Sequence, residues 1–296
     1  MVFVIIFFVF YPPFYSSMDE NEYLSTALLI KSGTIYYDAL DISQPPLTIK
    51  VDDHIVSTHP PGTALLITPF LYLSNEAVYL RSLFLHLIGF LFIYLIFRHV
   101  GANHAVFFSL LYLFYPALVI QSRMLMSDLP SAVFVLGGLY FYLSSRRAIS
   151  GLFWGVAFII RYTNVLIFFP FLGATVWRCI NKQLYWKEAI YLILGFVPFG
   201  LIGCIYNSLA YGHWAHLPLQ DAGFQLKFLP NNLGFYLKAL FLIYPFMLLA
   251  PLFYRGQAKW EIRISVLIYL LFHSTYYYLQ SWDNPLERLD RHQTYK

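Results

Sequence analysis

The sequence predicts an all-α polytopic membrane protein, and three observations carry that prediction. Only 11% of the 296 residues are charged, against roughly 25% in a soluble domain. The mean hydropathy is +0.61. Apolar runs reach or approach the ~20 residues that cross about 30 Å of hydrocarbon as helix, without the alternation that a transmembrane barrel needs. The formal charge of +4 is dispersed rather than gathered into a basic stripe, which argues against nucleic acid as a partner. Two cysteines, Cys179 and Cys204, make no disulfide framework.

The elements follow in order. Met1 to Tyr15 has no basic leading region and no small-residue cleavage site before Asp19, so it reads as a first membrane helix rather than a signal peptide. Its apolar run from Val2 to Tyr15 spans only about 21 Å at 1.5 Å per residue. Ser17 with Glu20 three residues later matches a capping box, and Tyr23, Ala27 and Ile30 recur at helical spacing before Gly33. This predicts a short amphipathic helix on the membrane surface. Thr48 to Val51 and His54 to Ser57 are β-prone runs around Asp52-Asp53, the pattern of a small hairpin. Apolar segments then run over 63–73, 79–97, 105–120, 131–143, 151–177, 189–211, 233–254 and 264–279.

Orientation follows from Lys and Arg near helix ends, which stay on the cytoplasmic side. Arg98, Arg146-Arg147, Arg178, Lys182, Lys187, Arg255, Lys259 and Arg263 mark that face. For all of them to lie inside, 151–177 must go up and back as two short helices that turn near Arg161-Tyr162-Thr163-Asn164. An arginine at mid-bilayer costs a few kcal/mol, whereas one at the tip of a broken helix can face a wet cavity. Residues 16–61, 121–130 and 212–232 and the tail from Ser281 then form the outer face. Only Glu188 and Glu261 of the fifteen acids remain inside. No internal repeat or linker divides the chain, so one membrane domain over 1–296 is expected.

The polar stretch 16–61 opens with Asp19-Glu20 and closes with His59-Pro60-Pro61-Gly62. Acids just after one membrane helix and a His-Pro-Pro just before re-entry are hard to explain as packing, and the stretch reads as an active-site loop. Asp128 stands beside Pro130, and with that proline at the first helical position it is close to an N-cap. Arg161 calls for a paired anion.

These residues, with Tyr36-Tyr37, the Asp52-Asp53-His54 turn, Pro69-Phe70, Met126-Ser127-Asp128-Leu129-Pro130, Tyr206-Asn207 and Tyr211-Gly212, resemble the polyprenyl-phosphate-sugar glycosyltransferases of the GT-C superfamily. The pattern is similar to the protein O-mannosyltransferase-like and aminoarabinose-transferase-like group, glycosyltransferase family 39, and covers nearly the whole chain in order. The first helix is short and the chain stops where such enzymes continue, so a fragment or a minimal member is expected.

The resemblance implies a GT-C-like helix bundle in the plasma membrane. It also implies inverting transfer of a sugar from a polyprenyl-phosphate donor to a hydroxyl of a protein, glycolipid or glycan on the extracytoplasmic face. Asp19 is then the general base, with Glu20 and Asp128 as further acids of the site. Arg81, His59 and Arg161 are the residues for the lipid phosphate. No cofactor is required, although Asp19, Glu20 and Asp128 would make an oxygen-rich set for a divalent cation. Each has a plainer reading: Asp19 as a first-turn helix acid, Glu20 as a cap, Arg81 as a snorkelling arginine, His59 as a turn residue. Two other functions compete. A transporter would show paired broken helices in two related halves around midplane polar residues, and a non-catalytic subunit would lack the Asp19 pattern.

Overall fold

A computed structural model of the chain describes residues 1–12, 17–38, 47–216, 224–243 and 250–276. Among these residues the architecture is mostly helical, with one small sheet. Residues 16, 39–46 and 217–223 of the expected outer loops, and the tail from Ser281, lie outside the described residues, as do 244–249 and 277–279 of the last two expected segments.

Helix α1 (Val2–Val9) is followed by α2 (Met18–Lys31). Ser17 caps α2 through its side chain, which accepts from the Glu20 amide at 3.2 Å. Asp19 and Glu20 in the first turn and Lys31 in the last complement the helix dipole, and Gly33 turns the chain away at φ +86°. The buried face of α2 carries Glu20, Glu22, Tyr23, Thr26 and Ala27. A buried face this polar must have its groups paired elsewhere in the fold.

The expected hairpin is present as β2 (Thr48–Val51) and β3 (His54–Ser57), antiparallel with Thr48 opposite Ser57 and Val51 opposite His54. A third strand, β1 (Tyr37–Asp38), adds to the other edge of β3 and was not expected. At two residues it is too short to show an alternating pattern.

Helix α3 (Gly62–Leu71) follows directly, and a 3-10 turn at Glu76–Tyr79 leads into α4 (Leu80–His99). The single segment expected over 105–120 is broken into α5 (Ala105–Leu113) and α6 (Pro116–Gln121). Pro116 disfavours helical geometry in the residue before it, and Tyr115 is extended. Helices α7 (Asp128–Leu143) and α8 (Arg147–Ile160) precede the expected break, where Arg161 is extended at φ −145°. After a 3-10 turn at Tyr162–Asn164 come α9 (Val165–Ile180) and α10 (Trp186–Tyr211), which ends at left-handed Gly212. Among the described residues, three segments are long and apolar enough to cross a membrane: Glu76–His99, Tyr162–Ile180 and Trp186–Tyr211. The chain has the helices of an integral membrane protein.

The chain divides into two compact units. The first comprises Met1–Val165 and Thr175–His216. Within it α8 packs on α10 with backbones nearly touching, because a Cβ at Gly151 would stand 2.0 Å from the Leu192 carbonyl oxygen and one at Gly195 2.0 Å from that of Ala148. Close approach through small residues is how helices associate where lipid removes the hydrophobic drive. Gly62 serves the site in the same way: its absent Cβ would lie 2.6 Å from the Ile159 backbone, so the start of α3 presses on the end of α8 just before Arg161. A separate cluster joins Phe3 and Phe7 of α1 to Tyr23 and Ala27 of α2 and Ile67 and Leu71 of α3.

The second unit comprises Leu166–Ala174 and Leu217–Lys296. It holds α11 (Leu229–Ile243) and α12 (Lys259–His273). Ser265 donates to the Ile167 carbonyl at 3.3 Å, and Arg263 donates to the carbonyls of Pro251, Leu252 and Tyr254.

Candidate active site

Four segments of the first unit bring polar side chains together: the start of α2, the turn after β3, the start of α7 and the break after α8. Asp19 Oδ1 lies 3.5 Å from His59 Nε2. That is an ion-pair separation, and the nitrogen makes no well-aligned hydrogen bond. The His59 ring stacks on Tyr23 with centroids 4.6 Å apart, and its backbone amide donates to Ser57 Oγ at 3.1 Å. Arg161 Nη1 pairs with Asp128 Oδ1 at 2.9 Å, and Arg161 Nε donates to Ser127 Oγ at 2.8 Å. The Tyr23 hydroxyl links the two halves, facing Ser127, Arg161, Asp19 and Asp128.

Exposure separates a base from its supports. The Asp19 side chain is 40% exposed and that of Asp128 42%, so both carboxylates open to solvent. Tyr23 is buried, and burial pushes its hydroxyl up to about 12. The Asp19 carboxyl is held below the usual aspartate range, first by the His59 ring nitrogen 3.5 Å away. Partial burial opposes this, and the charges of His59 and Arg161 add to it. A carboxylate kept ionised beside a wet opening is equipped to accept a proton.

Glu20 and Arg81 occupy different surroundings. Glu20 is 1% exposed, and its Oε1 accepts from the Leu125 amide at 2.8 Å. The capping box therefore resolves into a Ser17 cap and an acid reaching a distant loop. Arg81 is equally buried; its Nη2 donates to Ser82 Oγ and to the carbonyls of Met124 and Met126. Ser82 Oγ donates to the same Met124 carbonyl at 2.7 Å, and Glu20 lies within electrostatic reach of the guanidinium. Together they grip 124–126, the segment that delivers Ser127 and Asp128. Arg81 Nε and Nη1 have no hydrogen-bond partner among the described residues. Arg81 is thus a buried brace with two spare donors rather than an exposed interfacial arginine.

Two sequence expectations change here. Asp128 is the first residue of α7 and Ser127 its N-cap, so Pro130 sits at the third helical position, where its missing N–H is still one of the unbonded four. Asp128 is then free to pair with Arg161, which supplies the anion that the arginine required. Nor do Asp19, Glu20 and Asp128 converge on one point. Glu20 turns to Leu125, and among the described residues no group of three or more His, Cys, Asp and Glu could hold a metal ion.

Glu22, Tyr23, Ser57 and Ser127 had no role assigned from the sequence. Glu22 lies one helical turn beyond Asp19 on the same face of α2, 4% exposed, close to Ser57 and His59. Its i, i+3 relation to Asp19 was the available signal.

The first unit is therefore a helical unit with membrane-length apolar segments, in which an ionised acid, a histidine and an arginine–acid pair gather beside a small sheet. A family model described as dolichyl-phosphate-mannose-protein mannosyltransferase matches residues 58–202. Over that stretch the chain belongs to this family of glycosyltransferases, which implies a lipid-phosphate sugar donor and an acceptor. His59, Arg81, Asp128 and Arg161 fall within the matched residues, and Asp19, Glu20 and Glu22 precede them. No curated protein and no solved structure matches the chain.

Proposed function

We propose that the chain moves a sugar, with mannose the first candidate, from a polyprenyl phosphate to an acceptor hydroxyl on the extracytoplasmic face of the plasma membrane, with inversion. The acceptor oxygen attacks the anomeric carbon from the face opposite the phosphate. The carbon–oxygen bond to phosphate breaks and its electron pair leaves with the lipid phosphate, while Asp19 takes the hydroxyl proton. Positioned proton transfer of this kind contributes about 10²–10⁴ in rate.

Charge grows on the leaving phosphate, so fixed donors aimed at it stabilise the transition state. Arg161 is held by Asp128 and Ser127 within electrostatic reach of Asp19. His59 adds positive charge when protonated. Arg81 offers Nε and Nη1, the two donors that its brace does not use. Asp128 orients Arg161 and gives the acceptor a second anchoring carboxylate, and Glu20 holds the loop on which Asp128 stands.

The observation that carries this reading is the approach of an ionised, solvent-open Asp19 to His59 and Arg161 within a chain of this family. The test is transfer from a panel of radiolabelled polyprenyl-phosphate sugars to endogenous acceptors in membranes. The native chain is compared with Asp19→Asn at matched expression. Transfer by the native chain that falls at least about a hundredfold in the variant is expected. Undiminished transfer by Asp19→Asn would remove it as the base.

A further inference from the structure

We propose that Glu22 is a positioning residue of the active site: acting through the Ser57 hydroxyl, it fixes the turn that presents His59 to Asp19. This rests on the glycosyltransferase reading of the site.

The argument begins with cost. A carboxyl group at 4% exposure on a helix face is unfavourable unless its oxygens are paired. A leucine would fill that space without penalty. Glu22 answers the cost with three contacts from three directions: the Thr26 hydroxyl at 3.4 Å from its own helix, the Ser57 side chain from the end of β3, and the charge of His59. Tyr37 of β1 and Tyr206 of α10 also lie within its electrostatic reach. Asp19, one turn earlier, completes the set of groups around the histidine.

Ser57 is the hub. Its hydroxyl meets Glu22 and accepts the His59 amide at 3.1 Å, and its carbonyl accepts the Tyr211 hydroxyl at 2.6 Å. The chain from β3 into Pro60-Pro61 is therefore held from α2 and from α10 at one residue. Two residues later the His59 ring reaches Asp19. Loosening Ser57 releases the His59 amide and with it the ring's aim.

Asp19 and Glu22 flank one histidine, yet their surroundings drive their proton affinities apart. Asp19 is lowered by His59 and Arg161, whereas Glu22 is raised by burial. Two carboxyls separated in this way take different roles. The open one is suited to accept a proton, and the closed one to hold hydrogen bonds.

The test compares Glu22→Ala, Glu22→Gln, Ser57→Ala and the double variant Glu22→Ala/Ser57→Ala in the full chain in detergent or membranes. Glu22→Gln keeps a side chain that can bond Ser57. Expected are a fall in kcat of about tenfold in Glu22→Ala with KM little changed, recovery to within about threefold in Glu22→Gln, and a double variant no worse than the poorer single one. Amide hydrogen exchange at His59, which needs no activity, is expected to speed by about tenfold in Glu22→Ala and Ser57→Ala but not in Glu22→Gln. Native kcat and native exchange in Glu22→Ala, or losses that multiply in the double variant, would overturn the proposal. If Glu22→Ala does not fold, Ser57→Ala decides: native exchange at His59 in that variant overturns it equally. Should Asp19→Asn retain full transfer, the base assignment fails, while the exchange measurement still judges the link from Glu22 to His59.

Discussion

Asp19 and Glu20 are adjacent in sequence and belong to two unlike regions. Asp19 stands in an open cluster with His59, Arg161 and Asp128, ionised and in reach of solvent. Glu20 stands in a buried brace with Arg81, Ser82 and the backbone of 124–126. Successive residues on a helix point about 100° apart, which is enough to send one carboxylate to chemistry and its neighbour to architecture. The first region depends on charge and access, the second on hydrogen bonds that have no alternative partner in water. Mutations should therefore separate them by what is lost.

The largest expected effect lies in the open region. Arg161→Met should lower transfer by about 10²–10³, the magnitude typical of one lost transition-state donor, with thermal unfolding close to native. A comparable loss of folding with native activity per folded molecule would place Arg161 in the architecture instead. The brace should give the reverse pattern. Glu20→Ala leaves the buried Leu125 amide without its carboxylate and removes a negative charge near Arg81, at a cost of about 3 kcal/mol. Denaturant unfolding in detergent should show that loss. The paired change Glu20→Leu with Arg81→Met should recover most of the stability without transfer, because two apolar side chains leave no unpaired buried charge.

The pH dependence sharpens the same contrast. Asp19 has a lowered folded-state value. It therefore adds stability above its unfolded value near 3.8 and loses it as pH falls through the folded value. Activity should follow, with an acid limb below the ordinary aspartate range. His59→Asn should move that limb upward, and an unmoved limb would separate Asp19 from His59. Glu22 has the opposite sign, since its raised value favours the folded chain at low pH. That contribution is lost as pH rises from the ordinary glutamate value towards the raised one. Glu22→Gln should flatten the pH dependence of stability in that window. The smallest effect is expected for Tyr211→Phe, which removes one hydrogen bond to the Ser57 carbonyl. Its cost should be about 1 kcal/mol in unfolding free energy, with kcat reduced only slightly.

How much of this was legible beforehand follows from the range over which each feature is determined. The Ser17 cap, the β2–β3 register around Asp52-Asp53 and the break at Arg161 were readable because each is set by a few neighbouring residues. The break between α5 and α6 has an equally local cause in Pro116, though the apolar run around it concealed the signal. Asp19 and His59 stood out as polar residues at the two ends of a polar stretch between apolar runs. Glu22 did not, because Glu20 filled the capping pattern and drew the reading away from the next acid.

The sequence by itself determined a helical membrane protein, since a chain with 11% charged residues and long apolar runs must satisfy its backbone internally. It also determined which polar residues stand near one another along the chain. The tertiary structure decided which of them meet. Arg161 found Asp128 across 33 residues, Glu20 found Leu125 across 105, and Tyr211 found Ser57 across 154. No local pattern encodes such pairings. They exist because buried donors and acceptors must be matched somewhere in the packed chain, and only the packing of α2, β3, α4, α7, α8 and α10 determines where.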